Sequence, residues 1–216
     1  MTATTASAVQ LDAARERLVR RSKHLNVATL AYNSLEGVVA VTAGLVAGSV
    51  ALVGFGLDSV IELAASVTAL WRLSADGDPR RRERAEYMAR RVIGGLFLAL
   101  AAYVAVDAGH ALVRREAPSE SVVGIILAAL SVAVMPLLAK AKRRVALQME
   151  SGALAAEARQ TSLCAYLSAI LLAGLALNAA AGWWWADSVA ALAMVPIIAR
   201  EGIEGIWLKP HCEDCC

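Results

Sequence analysis

Residues 48–71, GSVALVGFGLDSVIELAASVTALW, decide how this chain folds. The stretch is apolar enough for a membrane helix, yet it holds Asp58 and Glu62 four residues apart. No charge lies between Gly37 and Leu57, and none between Leu63 and Trp71. An ionised carboxylate in the middle of a bilayer costs roughly 2.5–3.5 kcal/mol on insertion scales, and more by other measures. At a spacing of i and i+4 the two share one helix face and repel each other. Something must neutralise them: protons, a basic partner or a cation. Gly54, Asp58, Glu62 and Ser66 fall on a single stripe of this helix, and Gly54 and Gly56 predict a neighbouring helix at close range.

The rest of the chain is built the same way. Of 216 residues, 58% are hydrophobic and 19% charged. A soluble domain has about 25% charged residues. Ser121 to Ala139 and Gln160 to Ala186 carry no charge at all, so a soluble bundle would lack the polar helix faces it needs. A bilayer-spanning helix needs about 20 such residues. Spans are expected near 25–46, 49–72, 88–113, 120–140, 152–178 and 184–206, giving an all-α membrane protein of six transmembrane helices. Gly48-Ser49 reads as a tight turn between the first two, and Pro118-Ser119 as a helix start. Trp183, Trp184 and Trp185 suit a membrane interface. Pro136 and Pro196 fall inside spans four and six and predict kinks.

Lysine and arginine fix an orientation. Arg15, Arg17, Arg20, Arg21 and Lys23 precede span one; Arg72, Arg80, Arg81, Arg82, Arg84, Arg90 and Arg91 lie at or between spans two and three; Lys140, Lys142, Arg143 and Arg144 follow span four. The opposite side has Arg114 and Arg115. The positive-inside rule then places both termini in the cytoplasm. Residues 1–24 form a basic cytoplasmic segment in which Leu11 to Lys23 is expected to make a short surface helix. No short apolar core with a cleavage site precedes span one, so no cleaved signal peptide is expected. Residues 25–206 form the transmembrane domain, and 207–216 a tail with His211, Cys212, Cys215 and Cys216 that is a candidate metal chelator or an ordinary terminus.

Other polar residues sit in the spans. Glu157, Gln160, Thr161, Cys164 and Ser168 share one face of span five, where Gln160 offers a carbonyl oxygen and Cys164 a soft sulfur. Borderline-soft divalent ions such as zinc accept such mixed ligands. Asn26, Asn33 and Glu36 lie in span one; Glu36 is a candidate extra ligand or proton relay. Tyr103, Asp107 and His110 mark either a cation vestibule or a solvated end of span three. Arg159 is the one basic residue within a span placed to neutralise the carboxylate pair, and it has Glu157 or the headgroups as alternative partners.

With these residues in hand, the chain resembles the cation diffusion facilitator (cation efflux) family, more particularly its short branch. Gly48-Ser49-Val50-Ala51-Leu52 leading into Phe55-Gly56-Leu57-Asp58-Ser59-Val60-Ile61-Glu62 is similar to the family's second span, whose two acidic residues bind the transported ion. Asp58 matches the first, and Glu62 the second with Glu for the usual Asp. Ala156-Glu157 is similar to the acidic pair of span five, Gln160 falls at the family's His and Cys164 at its second Asp; Gly182 and Trp183 to Asp187 resemble the opening of span six. The Gln and Cys substitutions remove a charge and a nitrogen ligand, so the ion is not transferable from ordinary zinc members. The family's C-terminal cytoplasmic domain is expected to be missing.

The resemblance implies a divalent metal cation efflux transporter, zinc favoured, exchanging metal for protons. The metal set is Asp58, Glu62, Gln160 and Cys164, with Glu157 and Glu36 as candidates. Burial and like-charge repulsion both favour protonated carboxylates, so protons compete with metal. Zn2+ or another divalent cation is expected as substrate, with no organic cofactor and no enzymatic activity. The expected partners are protons as counter-ion, the lipid bilayer and a second copy in a homodimer, with no nucleic acid. The location implied is integral and multi-pass in a membrane, the plasma (inner) membrane if the cell is bacterial. Two rivals stand beside it. A membrane phosphotransferase would need a denser acidic cluster than Asp58 and Glu62 followed by Leu63-Ala64-Ala65. A membrane metal-binding or accessory protein would hold the ion without moving it.

Overall fold

In a computed structural model, the backbone is described for residues 2–74, 79–148 and 152–207, and side chains for 17–64, 66–67, 87–88, 91–148 and 158–207. Among these residues the chain is all-helical, without strands: α1 (Thr2–Ala47), α2 (Val50–Ser74), α3 (Pro79–Arg114), α4 (Val122–Gln148), α5 (Gly152–Ala181) and α6 (Ala186–Trp207). Within α1, α3, α4 and α5 the segments Arg17–Ala47, Arg91–Arg114, Val122–Gln148 and Ala158–Ala181 are long and apolar enough to cross a membrane. The expected short surface helix over Leu11 to Lys23 is not a separate element. Its residues continue α1 without a break, because neither Gly nor Pro interrupts Thr2 to Glu36. The Cys/His tail lies outside the described residues.

The pattern of burial is turned inside out relative to a soluble bundle. Leu35, Val38, Leu45, Val106, Ile126 and Leu137 point outward, more than half exposed. Asn26, Asn33, Glu36, Asp58 and Glu62 are buried. Between these polar groups a core of Leu52, Phe55, Val104, Met135, Leu171 and Met194 fills the interior. Helix α2 is central, packing on α1, α3, α5 and α6, while α4 lies against α5 and α1.

Close helix approach comes from glycine. A Cβ on Gly56 would lie 2.8 Å from the Val41 backbone nitrogen, so α1 and α2 meet nearly backbone to backbone. Gly94 of α3 and Gly202 of α6 do the same, each facing the other's carbonyl oxygen within 3 Å of the missing Cβ. Gly54 faces Val104 of α3.

Three short connections gather at one end of the bundle. At the first, Gly48 has a positive φ of 68° and the Ser49 N–H returns to the Gly44 carbonyl at 3.0 Å, which ends α1 in a Schellman turn. Ser49 then caps α2, its hydroxyl accepting from the Leu52 N–H at 3.1 Å. Its hydroxyl also donates to Asp187 at the start of α6, at 2.5 Å. The α3–α4 connection is tied to α1 by the Ser119 N–H on the Ala47 carbonyl at 2.9 Å. The Asn178 amide donates to the Pro118 carbonyl at 3.2 Å and draws in α5. Trp183 and Trp185 stack beside this end, ring centroids 5.0 Å apart. Pro136 and Pro196 sit inside α4 and α6, and both helices run on through them as single elements.

Candidate metal centre

The carboxylates lie near the middle of α2, away from those connections. At about 1.5 Å rise per residue, Asp58 stands about 12 Å and Glu62 about 18 Å along α2 from Val50. Both are buried, with 5% and 3% of their surface exposed. The spacing does what the sequence requires: Asp58 and Glu62 face one pocket, lined also by Gln160 of α5 and by Phe97, Leu167 and Glu201. Thus α2, α3, α5 and α6 all contribute to its wall. Glu62, Glu36 and Glu201 are like charges that act on Asp58.

Glu62 is held from one side. Its Oε1 accepts from the Thr161 hydroxyl at 3.1 Å, and that hydroxyl in turn accepts from the Lys142 ammonium, also at 3.1 Å. Its other oxygen, Oε2, is buried without a hydrogen-bond partner, as is Gln160 Nε2. Cys164 is buried, and its thiol lies 3.9 Å from Glu36 Oε2. Glu36 belongs to a separate hydroxyl cluster. Ser59 donates to its Oε2 at 2.9 Å, Ser131 donates to its Oε1, and the Tyr32 hydroxyl bonds Ser131 Oγ at 2.7 Å. Glu36 is therefore surrounded by donors from α2, α4 and α5, not left open to the pocket.

The expected ligand residues are accordingly brought to one region but not to one wall. Asp58, Glu62 and Gln160 line the pocket. Cys164 and Glu36 stand behind it in contact with each other. Glu157 is on α5, with its side chain outside the described residues. Among the described residues, no three His, Cys, Asp or Glu side chains form a ready-made metal-holding group. Tyr103 and His110 are on the outward face of α3, away from the pocket, and Asp107 acts on Tyr103.

The neutralising cation differs from the one expected. Arg159 is exposed, and its charge acts on Glu201 at the pocket rim. The buried base is Lys142, 5% exposed, which α4 carries inward because that helix runs on to Gln148, well past residue 140. In the sequence Lys142 stands in one basic cluster with Arg143 and Arg144 and shares its reading as a topology signal. The helical phase that puts Ala139, Lys142 and Val145 on one buried face is the signal that separates it from its exposed neighbours. Glu201 was hidden in the same way. It lies four residues beyond Ile197, which lines the same pocket.

Two comparisons with known proteins bear on this arrangement. The chain is 26% identical, over 172 residues, to an uncharacterized transporter of Synechocystis sp., an alignment covering 77% of this chain and 53% of that protein. It therefore spans about half the length of the curated relative it matches. Residues 27–207 match the family of the cation efflux transmembrane domain, a region running from the start of the polar face of α1 to the end of α6. With most of its length matched and with Asp58 and Glu62 buried together on α2, the chain belongs to the cation efflux family, and it is an integral membrane protein.

Proposed function

We propose that the protein exports a divalent metal cation from the cytoplasm in exchange for protons, with zinc the favoured ion. One observation carries this: Asp58 and Glu62, two buried carboxylates on adjacent turns of a central helix, line a single pocket with Gln160. Buried carboxylates in a membrane domain mark ion pathways. In this reading α1 to α6 are six spans with both termini cytoplasmic, as the distribution of Lys and Arg supports. The pocket lies between α2 and α5, and Glu201 and Arg159 stand at its cytoplasmic approach.

The site's chemistry follows from its donors. Asp58 and Glu62 supply charge and hard oxygen, Gln160 a neutral oxygen, and Cys164 a sulfur one layer deeper. Together they suit a borderline-soft dication. Lys142 lowers the net negative charge of the pocket by acting through Thr161 on Glu62. Protons and metal compete for the same oxygens, so that protons entering from outside release the ion, and rocking of the helices about the site exposes it to each side in turn. Glu36 and Glu157 are further candidates for the shell, the protein works as a homodimer in the plasma membrane, and no enzymatic step is involved.

The test is flux in proteoliposomes loaded with a zinc dye and a pH dye. Zinc entering the vesicle lumen should drive protons out of it, and Asp58→Ala should stop both movements. Metal uptake with no counter-movement of protons would refute exchange. Zinc binding without flux would make the protein an accessory metal binder.

A further inference from the structure

The α1–α2 pair carries an unassigned group into the carboxylate site. The two helices run antiparallel in a tight register. Gly44 lies against Val53, Val41 against Gly56, and Gly37 against Gly56 and Val60. Glu36 then meets Ser59. One further turn toward the start of α1 is Asn33, and one further turn along α2 is Glu62. Asn33 is fully buried, and both of its amide atoms, Oδ1 and Nδ2, lack a hydrogen-bond partner. The oxygen of Glu62 not engaged by Thr161 is likewise unpartnered. Asn33 approaches the Glu62 side chain closely enough to act on it, without reaching hydrogen-bond geometry.

Three bare polar atoms in one buried spot are unusual, since buried polar groups are nearly always paired and each unpaired one costs about 1–3 kcal/mol. Packing alone does not explain an amide there. A leucine of similar size would fill the space between α1 and α2 without that cost. Asn33 lies beside the pocket carboxylate and not at a helix end, where its amide would serve as a cap.

We infer that Asn33 supplies an oxygen ligand from α1 to the cation held by Asp58 and Glu62, and that this neutral oxygen sets the preference between hard and soft ions. The inference rests on the pocket being a divalent cation site. Amide oxygen suits ions such as Mn2+ better than soft ions such as Cd2+, whereas Cys164 behind the pocket favours the soft ones. Asn33 and Cys164 thus pull selectivity in opposite directions.

The experiment measures binding of Mn2+ and of Cd2+ to the purified full-length protein in detergent, together with its melting temperature without metal. Asn33→Leu removes both bare amide atoms while keeping the same number and branching of side-chain heavy atoms. It should melt no lower than the wild type, while Mn2+ affinity falls about tenfold or more and Cd2+ affinity falls less. Higher stability with weaker binding is a split that loss of packing does not produce. Asn33→Asp keeps an oxygen in place and should bind Mn2+ at least as tightly as the wild type. Unchanged affinity for both ions in Asn33→Leu overturns the inference, and so does weaker Mn2+ binding in Asn33→Asp; the latter decides if the leucine variant does not fold. A wild-type protein that binds neither ion overturns both this inference and the pocket reading. Binding lost in Asp58→Ala but unchanged in Asn33→Leu removes only Asn33.

Discussion

The connected end of the bundle and the region around the pocket treat buried polar groups differently. At the end where the connections gather, Ser49, Asp187 and Asn178 have partners, and each bond joins elements distant in sequence. Around the pocket, Glu36 is likewise partnered, but Glu62 Oε2, Gln160 Nε2 and both amide atoms of Asn33 have no partner. Asp187 and Asp58 are each buried acids, yet one closes a network and the other faces a pocket. Satisfied groups fix helices relative to one another, and bare ones leave a place for a ligand at a cost in stability. The laced end holds the helices in register, and the pocket region is where the proposed ion chemistry takes place.

Substitutions should separate these roles. The largest effect is expected from Asp58→Ala, which should reduce metal flux at least about 100-fold in proteoliposomes while leaving the melting temperature unchanged or raised. A variant that melts early would place Asp58 with the structural acids instead. Next comes Lys142→Met. Taking one member from a buried charged relay costs about 3 kcal/mol, and unfolding in detergent should register it. The stability of Lys142→Met should recover when Glu62→Gln is added, because the uncompensated carboxylate is then gone.

At the laced end the effects should reverse in kind. Asp187→Ala removes the acceptor of Ser49 and of the Ala51 N–H, and is expected to cost about 2 kcal/mol while flux per folded molecule stays within about twofold. A folded Asp187→Ala protein without flux would break the division between the two regions. The smallest change is Ser49→Ala. It removes the α2 cap and should cost about 1 kcal/mol, seen as a melting shift of a few degrees with flux retained.

The sequence made the helices and the carboxylate stripe easy to read, because both follow from local rules. Uncharged runs of helical length mark the spans, and a four-residue interval is enough to align Asp58 with Glu62. Gly48-Ser49 announced its turn through the one residue type that takes a positive φ without cost. Lys142, Glu201 and Asn33 were harder. Their roles depend on which face each helix turns inward, and helix phase between partners is set by tertiary packing such as the Gly56–Val41 contact. A charge near the end of a span also reads equally well as a topology signal or as a buried counter-ion until the helix is seen to continue. Arg159 shows the converse: it sits within a span by number, and its face is exposed.

One dimension of α1 has a mechanical meaning. The helix has 46 residues. At about 1.5 Å per residue such a rod is about 69 Å long, more than twice a hydrocarbon layer of about 30 Å. It bears Asn33 and Glu36 within the bundle and extends far beyond them toward Thr2. A stiff rod magnifies rotation: pivoting by about 5° moves a point about 45 Å along it by about 4 Å. Any tilt of α1 that accompanies ion entry at Glu62 is therefore written large at its distant end, and a fluorophore near Thr2 would work as the needle of a gauge.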